Sequence, residues 1–266
     1  GENISAVCTG GTDSRVILSH LLYKGYKPSL VITGHKNNPD VAIAKEIADI
    51  SNCELAVLDP HKKEEEWLTH AIEFCDGIYD PVLSHRHLQL KNLGLKKGYK
   101  YQYGGVGGEF YKNSFCRPFL DLSIIRKITP ELLSKQLFKI SITPWMGEGL
   151  LKGKSSAESN ALKITRENFE KGGILNLYNK VGYINLRNKY RLITNNISSY
   201  YTKVDPLMDR DVVIKISKTS PIGLSMHMYH RKEIARHFAA LGDIPTDQGY
   251  SCSIKKLQIF KERLKK

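Results

Sequence analysis

The chain has 266 residues, of which 41% are hydrophobic and 25% are charged. This balance is typical of a globular protein with one large domain or two small ones, and it excludes a disordered chain, a collagen and a disulfide-stapled mini-protein. No stretch approaches the roughly 18 apolar residues of a membrane-spanning helix, and the start lacks the features of a signal peptide. Because a strand-like segment follows Gly1 almost at once, without an initiator methionine, we expect an excised or trimmed domain.

The five cysteines are widely spaced and form no Cys-x-x-Cys pair. A zinc site or a disulfide framework built from them is therefore not expected, and a reducing, cytoplasmic location fits best.

The net charge of +13 comes entirely from the second part of the chain. Residues 1–110 hold 12 basic and 14 acidic side chains, whereas residues 111–266 hold 28 and 13, a net charge of +15. Such a basic part suits nucleic acid, an anionic membrane, a nucleotide or an acidic partner. The alternative is a solvated basic face without a partner.

The first 103 residues alternate between predicted strands and predicted helices. Hydrophobic runs predict strands at 4–9, 29–33, 54–58 and 99–103, and helical periodicity predicts helices at 14–24, 40–51, 63–75 and 84–98. Asn38 is expected to cap the second helix, with Pro39 in its first turn. The alternation predicts right-handed βαβ units and a parallel sheet.

The pattern changes after residue 117. No strand is predicted from 118 to 201, a loop is predicted at 147–159, and helices are predicted at 186–201, 209–219 and 230–241, with a turn at 221–223 before the last. We therefore expect a nucleotide-binding α/β core at 1–117. A mainly helical extension at 118–266 is expected to pack on this core and complete the substrate pocket.

The strongest local signal is a glycine loop (residues 9–14) between the first predicted strand and helix. Its glycines allow close backbone approach, and its N–H groups and the helix start predict an anion site at the carboxyl edge of the sheet. A carboxylate is out of place there unless a divalent cation bridges it to phosphate. A tight capped turn is the alternative. The loop is neither a Walker A nor a GxGxxG sequence, and it consists of Thr9, Gly10, Gly11, Thr12, Asp13 and Ser14.

The glycine loop resembles the Ser-Gly-Gly-x-Asp-Ser loop of the PP-loop ATP pyrophosphatases, which have the adenine nucleotide α-hydrolase-like (HUP) fold. Further segments resemble one branch of that superfamily, the synthetase domain of asparagine synthetase. In chain order these segments are 39–41 (PDV), 103–110 (YGGVGGEF), 205–209 (DPLMD), 232–236 (KEIAR) and 244–245 (IP).

The resemblance implies an α/β fold, with a parallel sheet sandwiched by helices and a helical C-terminal extension. It implies an enzyme that uses ATP and Mg²⁺ to adenylate a small-molecule or peptide carboxylate, which ammonia or an amine then attacks. Asp13 would bind Mg²⁺, the glycine loop would hold pyrophosphate, and Lys232 would meet the charge between the α- and β-phosphates. The adenine would lie against the second strand, and the remaining nucleotide contacts would come from Ile32, Thr33, Gly34, Gly104 and Gly105.

Two residues, Lys232 and Glu109, have alternative interpretations. Lys232 is either catalytic or a plain surface lysine. The family has acidic residues where this chain has Gly105 and Gly108, so that Glu109 alone remains. Glu109 is either a catalytic residue and second magnesium ligand or a structural carboxylate that satisfies loop N–H groups.

Three functions follow from these observations. The first is an amide-forming ligase like asparagine synthetase, with a glutaminase domain or another ammonia source outside this sequence. The second is an ATP pyrophosphatase that modifies tRNA, which the basic second part suits, although paired cysteines for sulfur insertion are absent. The third is a nucleotide-binding module that has lost its catalysis. The histidine pairs at 85/87 and 227/230 are expected to be partly exposed rather than part of a metal site.

Overall fold

Five short strands form one parallel sheet in the order β3–β2–β1–β4–β5. The computed structural model describes residues 3–62, 65–74, 81–112, 202–219 and 227–254, with residue 224 and isolated positions between 129 and 170. The strands are β1 (Ile4–Val7), β2 (Ser29–Thr33), β3 (Leu55–Leu58), β4 (Tyr101–Tyr103) and β5 (Thr202–Val204).

Helices connect strands β1 to β4 as the sequence predicts. Asn38 caps α2 by accepting a hydrogen bond from the N–H of Asp40, and Pro39 occupies the first turn. The helices are α1 (Thr12–Tyr23), α2 (Pro39–Ser51), α3 (Trp67–Phe74), α4 (Pro81–Lys97), α5 (Arg210–Ser217), α6 (Met228–His237) and α7 (Ala240–Asp243). Two 3₁₀ helices lie at Gly108–Lys112 and Pro206–Met208. The predicted parallel α/β architecture is confirmed.

Strand β5 is the main difference from the predicted elements. It lies in the part expected to be mainly helical, yet it pairs with β4 and extends the sheet. Three residues, Thr-Lys-Val, are too few to show a strand periodicity. The helix predicted at 186–201 and the turn at 221–223 lie outside the described residues, as does the loop predicted at 147–159 apart from Ser159, which is helical. The boundary at residue 117 stays a prediction.

The strand order places helices on both faces of the sheet. From β1 the chain moves outward to β2 and β3, and then returns across the sheet to β4. Because βαβ crossovers are right-handed, the outward helices α1 and α2 cover one face and the returning helix α4 covers the other. No helix among the described residues is long and apolar enough to cross a membrane.

One hydrophobic core joins the two ends of the chain. Leu30 and Val41 are fully buried in the same cluster as Ile234, Leu241 and Cys252, more than 180 residues later. The C-terminal segment therefore packs directly on the βαβ part.

A buried arginine in the first turns of α1 connects these two parts. The Arg15 side chain is fully buried, and its hydrogen-bond acceptors among the described residues are all uncharged. Its Nη2 reaches the carbonyl oxygen of Gly10 at 3.0 Å and that of Pro245 at 2.7 Å, while Nη1 reaches those of Leu241 and Ile244. This guanidinium ties the glycine loop to the segment around α7.

We expect Arg15→Met to destabilise the fold by about 3 kcal/mol or more, because several buried carbonyl groups lose their donor at about 1–3 kcal/mol each. Urea denaturation measures the change in the free energy of unfolding. Arg86→Met, at an exposed position of α4, is the matched control and should change stability by less than about 0.5 kcal/mol. Equal stability of the two variants would show that Arg15 does not hold the parts together.

Candidate active site at the carboxyl edge of the sheet

The loops after β1 and β4 meet at the carboxyl edge of the sheet. A Cβ atom at Gly105 would lie 2.9 Å from Cβ of Asp13 and 3.0 Å from the backbone N of Ser14. The chain leaves β1 toward β2 on one side, while β4 lies on the other side. This is the topological switch point of the sheet, where open α/β folds form their ligand crevice.

Internal hydrogen bonds shape the glycine loop. The N–H of Gly10 donates to Oδ1 of Asp40 at 2.9 Å, so a side chain of α2 holds the loop from the outside. The Ser14 hydroxyl turns back onto Thr9, 3.2 Å from both its backbone N and its carbonyl oxygen. The N-cap of α1 is Gly11, and no side chain caps this helix end. The positive end of α1 is therefore directed into the crevice.

Asp13 lies at the centre of a charged cluster. Its Oδ2 accepts a hydrogen bond from Nζ of Lys112 at 2.7 Å, and its Oδ1 lies 2.9 Å from Nε2 of His230. Lys112 ends the 3₁₀ helix after β4, and His230 lies in the first turn of α6. The cluster thus joins three segments that are far apart in sequence.

The pKa values of this cluster follow from burial and charge. Burial alone would raise the pKa of Asp13, but the hydrogen bond and charge of His230 and the ammonium of Lys112 together lower it below its usual value. Burial lowers the pKa of His230, and Asp13 opposes that change. Asp13 is therefore a carboxylate at neutral pH, with Lys112 as its cation.

His227 connects the glycine loop to α6. Its Nδ1 lies 3.1 Å from the Thr12 hydroxyl and 3.2 Å from the Tyr250 hydroxyl. The residue precedes α6 with a φ of 61°, in the left-handed region. Burial first, and then the charges of Lys112 and His230, lower the pKa of His227 to about 3. The imidazole is therefore neutral and serves as a hydrogen-bond partner.

Gly108 allows the backbone to lie against the Asp13 carboxylate. A Cβ atom at Gly108 would overlap the carboxyl carbon and both carboxylate oxygens of Asp13. Only glycine fits here while Asp13 keeps its position. Glycine at position 108 is thus matched to the conformation of Asp13.

The described arrangement does not fit a magnesium ion on Asp13. Each carboxylate oxygen already faces a donor, and the Lys112 ammonium occupies the position beside Oδ2 that a cation would take. Among the described residues, Asp13 and Glu109 do not belong to a set of three closely spaced metal ligands. Magnesium binding by Asp13 and Glu109 stays a prediction.

The other predicted nucleotide contacts lie along the same edge. Ile32 is buried in β2, whose backbone pairs with β1 and β3, and the N–H of Gly34 donates to the carbonyl of Leu58. The N–H of Gly104 donates to the carbonyl of Val204. Thr33 ends β2 and Gly34 follows it. Gly105 lies against the glycine loop, whereas Gly104 lies against the Asp205 side chain.

Lys232 and Glu109 are placed differently. Lys232 is exposed on α6, two residues after His230 and therefore about 200° around the helix from it. The structure does not bring Lys232 to the glycine loop. Glu109 is half-buried in the 3₁₀ helix and close enough to raise the pKa of His230, in opposition to burial. Their predicted catalytic roles remain untested.

Three site residues were missed by the sequence interpretation. Lys112 lies two residues after the segment 103–110, and no motif recognised in the sequence includes it. The histidines at 85/87 and 227/230 were predicted to be partly exposed. His87 and His227 are half-buried, but His230 is fully buried and His85 is 6% exposed. The close spacing of His227 and His230 at the start of a predicted helix was the available signal.

Comparisons with known proteins give little further information. No family model matches the chain, and no curated protein matches it. Among solved structures, the chain is similar to the U34-tRNA thiolase NcsA from Methanococcus maripaludis, solved with its [4Fe-4S] cluster. The similarity covers 73% of this chain and 72% of that one, at 14% identity and a TM-score of 0.31. A similarity this distant says nothing about the chemistry of either site.

We expect His227→Asn to reduce the acid sensitivity of the fold. Between the unfolded pKa of about 6.5 and the folded value of about 3, the unfolded chain binds a proton that folded His227 does not. Stability therefore falls as the pH drops through this window, by about 1.4 kcal/mol per pH unit for one proton. Asparagine tolerates the left-handed backbone and removes this proton.

Urea denaturation from pH 7 to pH 4 measures that slope. His230 also has a lowered pKa, so the slope should decrease without vanishing. His70→Asn, at an exposed position of α3, is the control and should leave the slope unchanged. An unchanged slope in His227→Asn would contradict a half-buried, neutral His227.

Proposed function

We propose that this chain is an ATP pyrophosphatase of the PP-loop superfamily that binds ATP in the crevice between β1 and β4. It would cleave ATP between the α- and β-phosphates and adenylate an acceptor. One observation carries this proposal: the glycine loop, the uncapped end of α1 and the Lys112 ammonium converge at the switch point of a parallel sheet.

The charges of the crevice suit a polyphosphate. Lys112 is only 15% exposed in its side chain, and Asp13 holds its ammonium in place. A largely buried ammonium interacts more strongly with phosphate than a solvated one does. The dipole of α1 adds positive potential at the same point. Because Asp13 already fixes the Lys112 ammonium, phosphate binding would not need to order this long side chain.

This arrangement suits pyrophosphate as a leaving group. An acceptor oxygen attacks the α-phosphorus, the bond from that phosphorus to the bridging oxygen breaks, and pyrophosphate leaves with both electrons of that bond. Positive charge placed where this negative charge develops lowers the barrier. Lys112, rather than Lys232, is in position to supply it.

The first candidate acceptor is a carboxylate, as in the synthetases that the sequence motifs resemble. The acyl-adenylate would then react with ammonia or a substrate amine to form an amide. The motifs after the glycine loop support this candidate. The segment at 205–209 follows β5 at the same sheet edge, where Gly104 lies directly against the Asp205 side chain.

The second candidate acceptor is a base of tRNA. The net charge of +15 in residues 111–266 supports it, because RNA binding draws much of its free energy from phosphate neutralisation. Sulfur insertion by Cys8 is disfavoured, since burial raises the pKa of this thiol to about 12 and leaves it unreactive. A tRNA modification at this site would then use another nucleophile.

We expect Lys112→Met to weaken ATP binding by about 10- to 100-fold, the usual range for losing a hydrogen bond to a charged group. Isothermal titration calorimetry with ATP, with and without Mg²⁺, measures it. Lys112→Arg should retain most of the affinity, and the exposed Lys45→Met of α2 is the control. Wild-type affinity in Lys112→Met would place the phosphates elsewhere.

We expect pyrophosphate release from ATP only in the presence of the correct acceptor. Parallel assays would supply mixed amino acids with ammonium, or unmodified tRNA at several salt concentrations. Release with the acids supports the ligase, and release with tRNA that declines steeply with salt supports the tRNA enzyme. ATP binding without release in either assay would favour a nucleotide-binding module that has lost its catalysis.

A further inference from the structure

A second cluster of polar side chains lies between α1 and α6, away from the glycine loop. His20 comes from α1, and Glu233 and His237 lie one turn apart on α6. Nε2 of His20 lies 3.3 Å from Oε2 of Glu233, and Nδ1 of His237 lies 3.7 Å from the same oxygen. Among the described residues, this is the group of three whose ligand atoms lie close enough together to hold one metal ion.

We propose that His20, Glu233 and His237 bind a divalent transition-metal ion, with zinc as the preferred ion. Two imidazoles and one carboxylate are a ligand set that zinc uses in open, three-ligand sites. Magnesium and calcium prefer sites made of oxygen ligands and do not suit this set.

The spacing of the ligand atoms matches this assignment. Zinc–ligand bonds of about 2.0–2.1 Å in a tetrahedron separate neighbouring ligand atoms by about 3.3 Å. The distance between His20 Nε2 and Glu233 Oε2 is 3.3 Å. The 3.7 Å from Glu233 Oε2 to His237 requires only a small adjustment. The two helices thus hold the cluster near its bound geometry.

Nε2 of His20 and Oε2 of Glu233 face each other, whereas Nδ1 of His237 lies 2.9 Å from the backbone carbonyl oxygen of Glu233 and would exchange that hydrogen bond for the metal. Glu233 and His237 are 14% and 12% exposed in their side chains, and Arg236 contacts Oε1 of Glu233, leaving Oε2 to the histidines. The imidazoles of His20 and His237 have ring centroids 4.0 Å apart.

The site would also be open on one side. His20 is 41% exposed, so a fourth coordination position can face solvent and take water or an exogenous ligand. The ion would link α1 to α6 by bonds to both helices. Metal binding should therefore raise the melting temperature as well as occupy the site.

The test uses the whole chain without an affinity tag, stripped of metal with a chelator. Zinc binding is measured by competition with a chromophoric chelator, and cobalt substitution reports coordination through visible absorption bands. The wild type should bind one equivalent of zinc and melt at a higher temperature with it. His20→Asn and Glu233→Gln should each weaken binding by at least about 100-fold, since even the loss of a group that only hydrogen-bonds a metal ligand typically costs 10- to 100-fold.

The control is His70→Asn on α3. His70 and Glu66 form an exposed pair with the same four-residue spacing, at 3.5 Å, and this pair is not part of a three-ligand group among the described residues. This variant should bind zinc like the wild type. If His20→Asn fails to fold, the zinc affinities of Glu233→Gln and His237→Gln test the proposal instead. Absence of one-to-one binding in the wild type, or unchanged affinity in a folded ligand variant, would overturn the proposal.

Discussion

The site depends on a buried guanidinium whose described acceptors include no carboxylate. Arg15 donates to the carbonyls of Gly10, Leu241, Ile244 and Pro245 and is fully buried. A buried charge is tolerated only when dipoles replace its hydration, and these carbonyls do so only when the C-terminal segment is in place. The glycine loop therefore takes its conformation from residues more than 200 positions later. The first βαβ units alone would not complete the site.

The charge balance around Asp13 depends on that conformation. Gly105 and Gly108 allow the loop after β4 to approach Asp13 so closely that a side chain at either position would collide with Asp13. The same approach brings Lys112 to the carboxylate. An acidic residue at 108 would need Asp13 to move and would add negative charge to the crevice in which we propose that phosphate binds. Gly105 and Gly108 thus allow the close approach, and the Lys112 ammonium lies beside the Asp13 carboxylate, where the sequence predicted a Mg²⁺ ion.

The sheet was predictable because its signals are local. Apolar runs marked β1 to β4, and Asn38 with Pro39 marked the start of α2, since capping depends on neighbouring residues. Strand β5 has three residues, and what makes it a strand is its pairing with β4. The glycine loop could be predicted for the same local reason. Lys112 and His230 could not, because their contacts with Asp13 arise from packing between distant segments.

The α1–α6 pair connects the two clusters. Asp13 and His20 are seven residues apart on α1, and His230 and His237 are seven apart on α6, so each pair spans two turns of one helix face, about 10.5 Å. Asp13 meets His230 at one end, and His20 meets Glu233 and His237 at the other. The helices therefore run in the same direction along a shared face. An ion that fixes the second end restricts the sliding of α6 on α1, and this sliding would move His230 relative to Asp13. Metal at the α1–α6 cluster and phosphate at the glycine loop would then act on the same helix contact, which gives a physical route for each to affect the affinity of the other.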